Sequence, residues 1–236
     1  APDAVVIVAT VRALKYNGGV PKNALAEENL EALEKGIVNL EKHIENIKKY
    51  NLPSVVAINV FPTDSEAELQ LLKDTCNKMG VDVAISEVFA KGGDGGIELA
   101  QKLLEVLETK EANYKPLYDL DLSIKEKIEV IAKEIYGASG VAFDKKVITK
   151  MKKYEVQGLG KLPICVAKTQ YSLSDQPTLL GRPSGFTIKI NDLIPSAGAG
   201  FLVAISGSIM RMPGLPKRPA AVNMDIDKDG KITGLF

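Results

Sequence analysis

The first half of the chain alternates short apolar runs with longer amphipathic stretches. Three runs are continuously apolar and rich in β-branched residues, as expected of strands covered on both faces; they span 4–11, 54–60 and 81–85. Three other stretches repeat apolar residues every third or fourth position, as expected of helices; they span 24–50, 64–79 and 97–108. Strands and helices that alternate with short connections predict right-handed βαβ crossovers and a parallel sheet.

The second half has a different order of elements. Periodicity is lost over 109–122, and two helical patterns at 123–136 and 144–157 then precede several strand-like runs. These runs span 163–167, 186–190 and 201–205, followed by 221–226, which we expect to pair with 232–235. The predicted fold class is therefore α/β: a parallel sheet of βαβ units in a domain over 1–116, followed by a smaller α+β domain over 117–236.

Composition narrows the range of partners. Lys and Arg total 30 and Asp and Glu total 30, so no net field draws the protein to nucleic acid or an anionic membrane. No apolar run approaches the roughly 20 residues of a membrane span, and the first residues lack a secretory signal. Cys76 and Cys165 are expected to be two buried thiols in a reducing compartment, so the predicted location is cytoplasmic. The chain opens almost directly into a strand without an initiator Met, which favours a fragment.

The inventory of reactive side chains excludes several mechanisms. His43 is the only histidine and sits on a charged helical stretch, where a solvated side chain is expected. A Ser-His-Asp triad or a zinc site is thereby excluded, and we predict no catalytic residue and no metal ligand in this chain. The stretch 225–230 imitates the start of a calcium loop, but position twelve of that loop is Phe236 instead of Glu. Asp229-Gly230 instead predicts a β-hairpin turn.

The glycine-rich stretches of the sequence bear on phosphate binding. No stretch has the G-x-x-x-x-G-K-[ST] spacing of a P-loop. One stretch is a loop between a strand and a helix, whose backbone amides could meet an anion; its glycines are Gly92, Gly93, Gly95 and Gly96. The loop lacks G-x-G-x-x-G spacing, so a purely geometric role is the open alternative.

Two aromatic side chains stand out by position. Phe61 follows the second predicted strand and Phe89 closely follows the third. Ligands of open parallel sheets bind outside the carboxyl ends of the strands, where rings on neighbouring strands could flank a planar heterocycle. The alternative, that both rings pack on the flanking helices, stays open from position alone.

Two polar strings follow apolar strands in the second half. The string 168–175 places hydrogen-bonding side chains together, which is costly unless they satisfy one another, so we expect a structural loop network. The string 210–219 carries three basic residues among prolines. These cations could meet an anionic group or a partner subunit.

Several strings resemble the formate–tetrahydrofolate ligase family, in the order expected of its carboxy-terminal part. The resemblance covers essentially the whole chain and rests on APDAVVIVATVRALK (1–15), VVAINVFPTDSEAEL (55–69), SEVFAKGGDGG (86–96), LYDLDLSIKEKIEVIAKEIYGA (117–138), AKTQYSLSDQP (167–177) and MPGLPKRPAAVNMDIDKDGKITGLF (212–236). It implies an enzyme that uses ATP to join formate to tetrahydrofolate, giving 10-formyltetrahydrofolate by way of formyl phosphate.

The resemblance also assigns a folate site. It implies that Phe61 and Phe89 sandwich the folate rings, with Ile85 and Pro62 lining the same pocket. Relatives often carry Trp at the second aromatic position, and the chain has no Trp, so the smaller phenyl ring of Phe89 offers less stacking area.

The cofactors implied by the resemblance belong to a larger protein. ATP and Mg²⁺ would be held by a P-loop segment upstream, and a monovalent cation and a homotetramer are also implied. A carboxy-terminal fragment that supplies one wall of the folate cleft, inactive alone, is the leading hypothesis. The alternatives are a stand-alone folate- or nucleotide-binding module and a subunit-assembly domain without catalysis.

Overall fold

The computed structural model describes residues 1–207, 209 and 217–234. Its α-helices are α1 (Val11–Asn17), α2 (Leu30–Lys48), α3 (Glu66–Lys78), α4 (Val88–Lys91), α5 (Ile97–Thr109), α6 (Ile124–Glu134) and α7 (Lys145–Val156). Its strands are β1 (Val5–Ala9), β2 (Ser54–Asn59), β3 (Asp82–Ser86), β4 (Gly140–Phe143), β5 (Ile164–Ala167), β6 (Thr187–Ser196), β7 (Phe201–Ser206), β8 (Asp225–Ile226) and β9 (Ile232–Thr233). Among these residues, no helix is long and apolar enough to cross a bilayer.

The first sheet confirms the predicted α/β fold class. Its strands run in the order β1-β2-β3, and both neighbouring pairs are parallel. On one face, Val56 and Ile58 of β2 belong to a buried core with residues of α2 and α3, including Leu33 and Leu72. Helix α5 contacts β2 and β3 and buries Val106. The helices therefore lie on both faces of the sheet, as in a βαβ arrangement.

The prediction of one strand over 4–11 was wrong at its carboxyl end. Strand β1 ends at Ala9, and the side chain of Thr10 accepts a hydrogen bond from the Ala13 amide to cap α1. Periodicity misses this helix because its seven residues are too few to repeat the pattern. Val11 and Leu14 simply extend the apolar run of the strand before them.

Helix α1 packs unusually closely against α2. A Cβ atom added at Gly18 would lie 1.8 Å from the Ala32 carbonyl oxygen, and one added at Gly36 would lie 1.8 Å from the Leu14 carbonyl oxygen. Both obstacles are backbone atoms, so a side chain at either position would force the two helices apart. The two glycines thus set the distance between α1 and α2.

A buried ion pair fixes the other side of α1. Lys15 of α1 and Glu68 of α3 are fully buried, with 2.8 Å between the ammonium nitrogen and Oε1. Lys15 also donates to the Glu27 carbonyl oxygen, and Glu68 accepts hydrogen bonds from the backbone amides of Asn29 and Ser65. Burial alone would raise the pKa of Glu68, but these donors outweigh it and hold the pKa below 4.5. The pair therefore joins α1, α3 and the turn before α2.

The second sheet is mixed and packs against α6 and α7. Its strand order is β4-β6-β7-β5, in which β6 and β7 are antiparallel while β4 and β5 run parallel to their neighbours. The buried core includes Ile128 of α6, Val147 of α7 and Ile188 of β6. The two helices predicted at 123–136 and 144–157 are confirmed. Strand β4 was missed because its four residues are too few to show the pattern of a strand.

Helix α2 connects the two halves of the chain. Lys42 and Asn46 donate to the carbonyl oxygens of Glu134 and Ile135, at 2.7 and 2.9 Å. Arg182 and Glu45 form a bidentate pair at 2.8 and 2.7 Å. The proposed boundary at 116 separates the two sheets in sequence, and the halves are nevertheless joined by direct contacts.

Two further predictions are corrected at the end of the chain and at a cysteine. Residues 220–223 form a 3-10 turn, so the strand expected over 221–226 is limited to β8, which pairs with β9 around Gly230 as the hairpin prediction required. Cys165 is exposed because it points outward from the edge strand β5, whereas Cys76 is buried. The basic string 210–219 is outside the described residues over 210–216, as are Leu235 and Phe236.

We expect Gly36→Ala to destabilise the protein by about 3 kcal/mol, because the new methyl group meets the Leu14 carbonyl oxygen. Helix propensity alone predicts the opposite sign, about 1 kcal/mol of stabilisation. Urea unfolding monitored by circular dichroism measures the difference. Gly198→Ala is the matched control, because its new methyl group meets no atom within 4 Å. A variant at position 36 that is as stable as the wild type would refute the close packing of α1 on α2.

We expect Glu68→Gln to lower the free energy of unfolding by about 3–5 kcal/mol, because it leaves the Lys15 ammonium buried without a counter-charge. Lys15→Met should cost a similar amount for the converse reason. The double variant Lys15→Met/Glu68→Gln should lose less than the sum of the two single variants, since each single variant already breaks the pair. Additive losses would show that the two charges are not coupled.

Matched controls for this pair are a surface salt bridge and the dependence on pH. Lys35→Met removes the exposed pair with Glu31 and should change stability by less than about 1 kcal/mol. Because folding lowers the pKa of Glu68, its contribution is complete above pH 4.5 and is lost as pH falls through the lowered pKa. The Glu68→Gln variant should lack this part of the acid unfolding curve.

Candidate functional site

The carboxyl ends of the three parallel strands meet at one edge of the first sheet. The register aligns Ala9 with Ile58 and Ile58 with Ile85, and the Val60 amide then donates to the Ser86 carbonyl oxygen at 3.0 Å. The segments that leave this edge are the capped start of α1, the turn after β2 and the short helix α4. This edge is where an open parallel sheet binds its ligands.

Phe61 is held at this edge by a tight turn after β2. Its amide donates to Oδ2 of Asp64 at 2.8 Å, and its carbonyl oxygen accepts from the Asp64 amide at 2.9 Å. Oδ1 of Asp64 is buried without a hydrogen-bond partner. Burial accordingly raises the pKa of Asp64, against the opposing effect of the hydrogen bond from Phe61. The turn fixes the backbone of Phe61 and leaves its ring half-buried.

A cleft of about 370 Å³ opens beside this ring; we call it the Phe61 cleft. Its walls are largely aromatic and aliphatic, with two cationic side chains. The lining residues are Thr10, Arg12, Ala13, Tyr16, Lys22, Leu25, Phe61 and Tyr171. Four of them come from Thr10 and helix α1, so the helix held by Gly36 and by the Lys15–Glu68 pair forms one wall. Apolar walls with few polar groups are the usual composition of a small-molecule site.

The two cations of the Phe61 cleft lie against aromatic rings. The Arg12 guanidinium carbon is 5.3 Å from the centre of the Phe61 ring. The Lys22 ammonium is 4.8 Å from the centre of the Tyr171 ring and 5.8 Å from that of Tyr16. These distances are those of cation–π contacts, so the cleft combines aromatic surface with positive charge.

Tyr171 reaches the cleft from the second half of the chain on a loop that is held internally. The Lys168 ammonium donates to the carbonyl oxygens of Thr169 and Ser174, each at 3.0 Å, and to that of Ser172. Ser174 is fully buried, and its hydroxyl accepts from the Gln176 amide at 2.8 Å. Burial lowers the pKa of Lys168 to about 8, which Asp175 partly opposes. The expectation of a structural network over 168–175 is confirmed.

The other predicted folate residues are placed differently. Phe89 is on α4, follows β3 and is 86% exposed, and it lies outside the lining of the Phe61 cleft. Pro62 is exposed in the turn after β2. Ile85 is half-buried and packs against the core of the first sheet. The structure thus brings these residues to the same edge and sets only Phe61 in the cleft.

The glycine-rich loop is an exposed 3-10 turn between α4 and α5. Gly95 supports the turn: its carbonyl oxygen accepts from the Glu87 amide at 2.9 Å, and a Cβ there would lie 2.4 Å from the Glu87 carbonyl oxygen. Asp94 lies within the loop, so the local charge opposes an anion. The geometric role is therefore supported, and anion binding at Gly92, Gly93, Gly95 and Gly96 stays a prediction.

Apart from Phe61, sequence reasoning missed the lining of the Phe61 cleft, including Arg12, Tyr16, Lys22 and Tyr171. The first two were missed because α1 was merged with β1. The signal that could have found them is Thr10, a favoured helix cap, followed by apolar residues at Val11 and Leu14. Lys22 is on a 3-10 turn without periodicity, and only the fold brings it to Phe61.

The sequence predicts neither a zinc site nor a Ser-His-Asp triad. His43 is exposed, as the charged helix predicts, and no group of three or more His, Cys, Asp or Glu side chains could hold a metal ion within the described ranges. The Phe61 cleft carries no nucleophile with an adjacent base in its lining. The arrangement is suited to binding and orienting a ligand.

The fold and the cleft define an α/β protein with a candidate small-molecule site at the carboxyl edge of a parallel sheet. Comparison with known families makes this specific, because the model of the family described as formate–tetrahydrofolate ligase matches residues 1–236. The chain belongs to the formate–tetrahydrofolate ligase family.

Proposed function

We propose that this chain is the folate-binding, carboxy-terminal part of a formate–tetrahydrofolate ligase and is inactive without the segment that binds ATP. The observation that carries the proposal is the aromatic Phe61 cleft at the carboxyl edge of a parallel sheet, in a chain whose family acts on tetrahydrofolate. The stand-alone binding module and the assembly domain receive no comparable support. Cytoplasmic location and a tetramer remain part of the proposal.

Tetrahydrofolate suits such a cleft chemically. Its pterin and aminobenzoate groups are flat and largely apolar, so they bind to aromatic walls, while the polar edges of the pterin select its orientation. Phe61 would contact one face of these rings. Phe89, exposed on the short helix that leaves the neighbouring strand, would approach the other face. Its high exposure is consistent with a ring that has no partner within this chain alone.

The chain's own residues do not fit ATP and Mg²⁺. The sequence has no P-loop, and the described residues have no acidic cluster for a metal ion. We therefore propose that the phosphate chemistry takes place on the upstream segment. That segment would hold ATP and Mg²⁺, which would supply the phosphoryl group for formate with release of ADP. This chain would bind the folate and orient its N10 amine towards the formyl carbon. It would also exclude water, because formyl phosphate is hydrolysed readily. We assign no site to the monovalent cation.

An uncovered apolar face supports the proposal that a second segment binds this chain. Strand β1 is an edge strand of five apolar residues, yet Val6 and Val8 are 36% and 66% exposed. Their register partners Val55 and Ala57 are buried, and the main contacts of α5 with the sheet are to β2 and β3. Helix α5 also exposes three apolar side chains spaced at seven and three positions, Ile97, Leu104 and Leu107. Strands of such composition are usually covered on both faces, and we propose that the P-loop segment provides the cover.

We expect the isolated chain to bind tetrahydrofolate and Phe61→Ala to weaken that binding about tenfold, because a buried aromatic contact contributes about 1–1.5 kcal/mol. Phe89→Ala should have a similar or smaller effect, since its ring is more exposed in the free chain. Anaerobic isothermal titration calorimetry measures the three affinities.

The control for these variants is Val156→Ala, which truncates a side chain that is 90% exposed at the end of α7, in the other half of the chain. It should bind tetrahydrofolate as the wild type does. Circular dichroism should show that each variant stays folded. Equal affinities for wild type, Phe61→Ala and Phe89→Ala would refute the folate assignment.

We expect ligase activity only when the chain is co-expressed with the P-loop segment of a relative, and Val8→Lys to abolish that activity. The substitution places a charge on the uncovered face, where docking would have to bury it. The free energy of unfolding of the isolated chain should change by less than about 0.5 kcal/mol, because the position is exposed.

The matched control for docking is Val156→Lys, at a valine on α7 that is 90% exposed, against 66% for Val8. It should leave the reconstituted activity unchanged. Activity of the isolated chain, or full activity in the Val8→Lys complex, would contradict the proposed division of labour between the two segments.

A further inference from the structure

The Phe61 cleft contains more positive charge than a flat, uncharged ligand requires. Arg12 and Lys22 both line it, and both side chains are exposed. Neither forms a salt bridge within the part of the chain that the structure describes, whereas Lys15 and Lys35 are each paired with a glutamate. Both cations lie against aromatic rings. A cation on an aromatic wall keeps its charge available to a ligand in the cleft.

The geometry separates the cleft into two parts. At one side, Arg12 lies over the Phe61 ring, next to the strand edge. At the other side, Lys22 lies between Tyr16 of α1 and Tyr171 of the second half of the chain. The Tyr171 wall of this side is held in place, because the Lys168 ammonium donates hydrogen bonds to the loop that carries Tyr171. A ligand stacked near Phe61 and extended along the cleft would therefore end beside the Lys22 ammonium.

We propose that Lys22, with Arg12 in support, binds the carboxylates of the glutamate tail of folate and so determines specificity for folate over pterins without a tail. The inference rests on the proposed function, since the ligand is taken to be a folate. It adds the subsite and its chemistry: a carboxylate bound by an ammonium group between two tyrosine rings. Such charge-assisted contacts are about twice as strong as neutral hydrogen bonds.

A phosphate group is the other possible source of a negative charge in this cleft. A carboxylate is favoured because the donor between the two tyrosine rings is the single ammonium of Lys22, whereas the Arg12 guanidinium lies over the Phe61 ring. Phosphate sites usually combine several backbone amides or a planar guanidinium fork. Competition by inorganic phosphate distinguishes a phosphate site from a carboxylate site.

The experiment compares tetrahydrofolate with tetrahydropteroate, which has the same pterin and aminobenzoate but no glutamate. In calorimetry at low salt, we expect the wild-type chain to bind tetrahydrofolate about tenfold more tightly, as one charge-assisted contact predicts. Lys22→Gln should bind tetrahydrofolate no better than tetrahydropteroate and should bind tetrahydropteroate as the wild type does. The preference of the wild type should shrink as salt is raised.

Controls and contrary outcomes separate this inference from the proposed function. Lys35→Gln removes an exposed lysine outside the cleft and should keep the tenfold preference. If both ligands bind equally well to the wild type, or if Lys22→Gln weakens both alike, the subsite is refuted while folate binding stands. If 10 mM inorganic phosphate competes with tetrahydrofolate in the wild type and not in Lys22→Gln, the subsite is for phosphate and the carboxylate assignment falls. If neither ligand binds, the proposed function fails and the inference fails with it.

Discussion

The buried pair of Lys15 and Glu68 is the constraint on which the candidate site depends. Two charges without access to water are tolerated only when each is surrounded by partners, and here the partners come from three separate segments. The ammonium is satisfied by the turn before α2, and the carboxylate is satisfied by that turn and by the start of α3. Helix α1 therefore has one position relative to the sheet, and any other position would leave a charge buried alone.

The position of α1 decides what the edge of the sheet can bind. Gly36 lets the helix lie directly against α2, and the ion pair holds it from the side of α3. Arg12 and Tyr16, on the exposed side of the same short helix, then face Phe61 in one cleft. The seven residues of α1 thus link the helix packing, the ion pair and the candidate ligand site. A helix this short has little stability of its own, so its position depends on these contacts.

The two halves of the chain depend on each other at this cleft. The first half provides the strand edge and α1, while the second half provides Tyr171 on a loop held by Lys168. The bidentate pair of Arg182 with Glu45 helps to hold these halves together. The exposed apolar face around Val8 lies on the same sheet.

The sequence by itself determined the α/β class, the parallel arrangement of the first three strands and the position of Phe61 and Phe89 near the carboxyl ends of two of them, because burial on both faces and helical periodicity are local patterns. It could not determine that Arg12, Lys22 and Tyr171 share one cleft. These residues are distant in the chain or lie on short elements without periodicity, and the contacts between them exist only after α1 is placed. Patterns in sequence report which face of an element is buried, whereas a binding site depends on which elements meet, and only tertiary packing decides that.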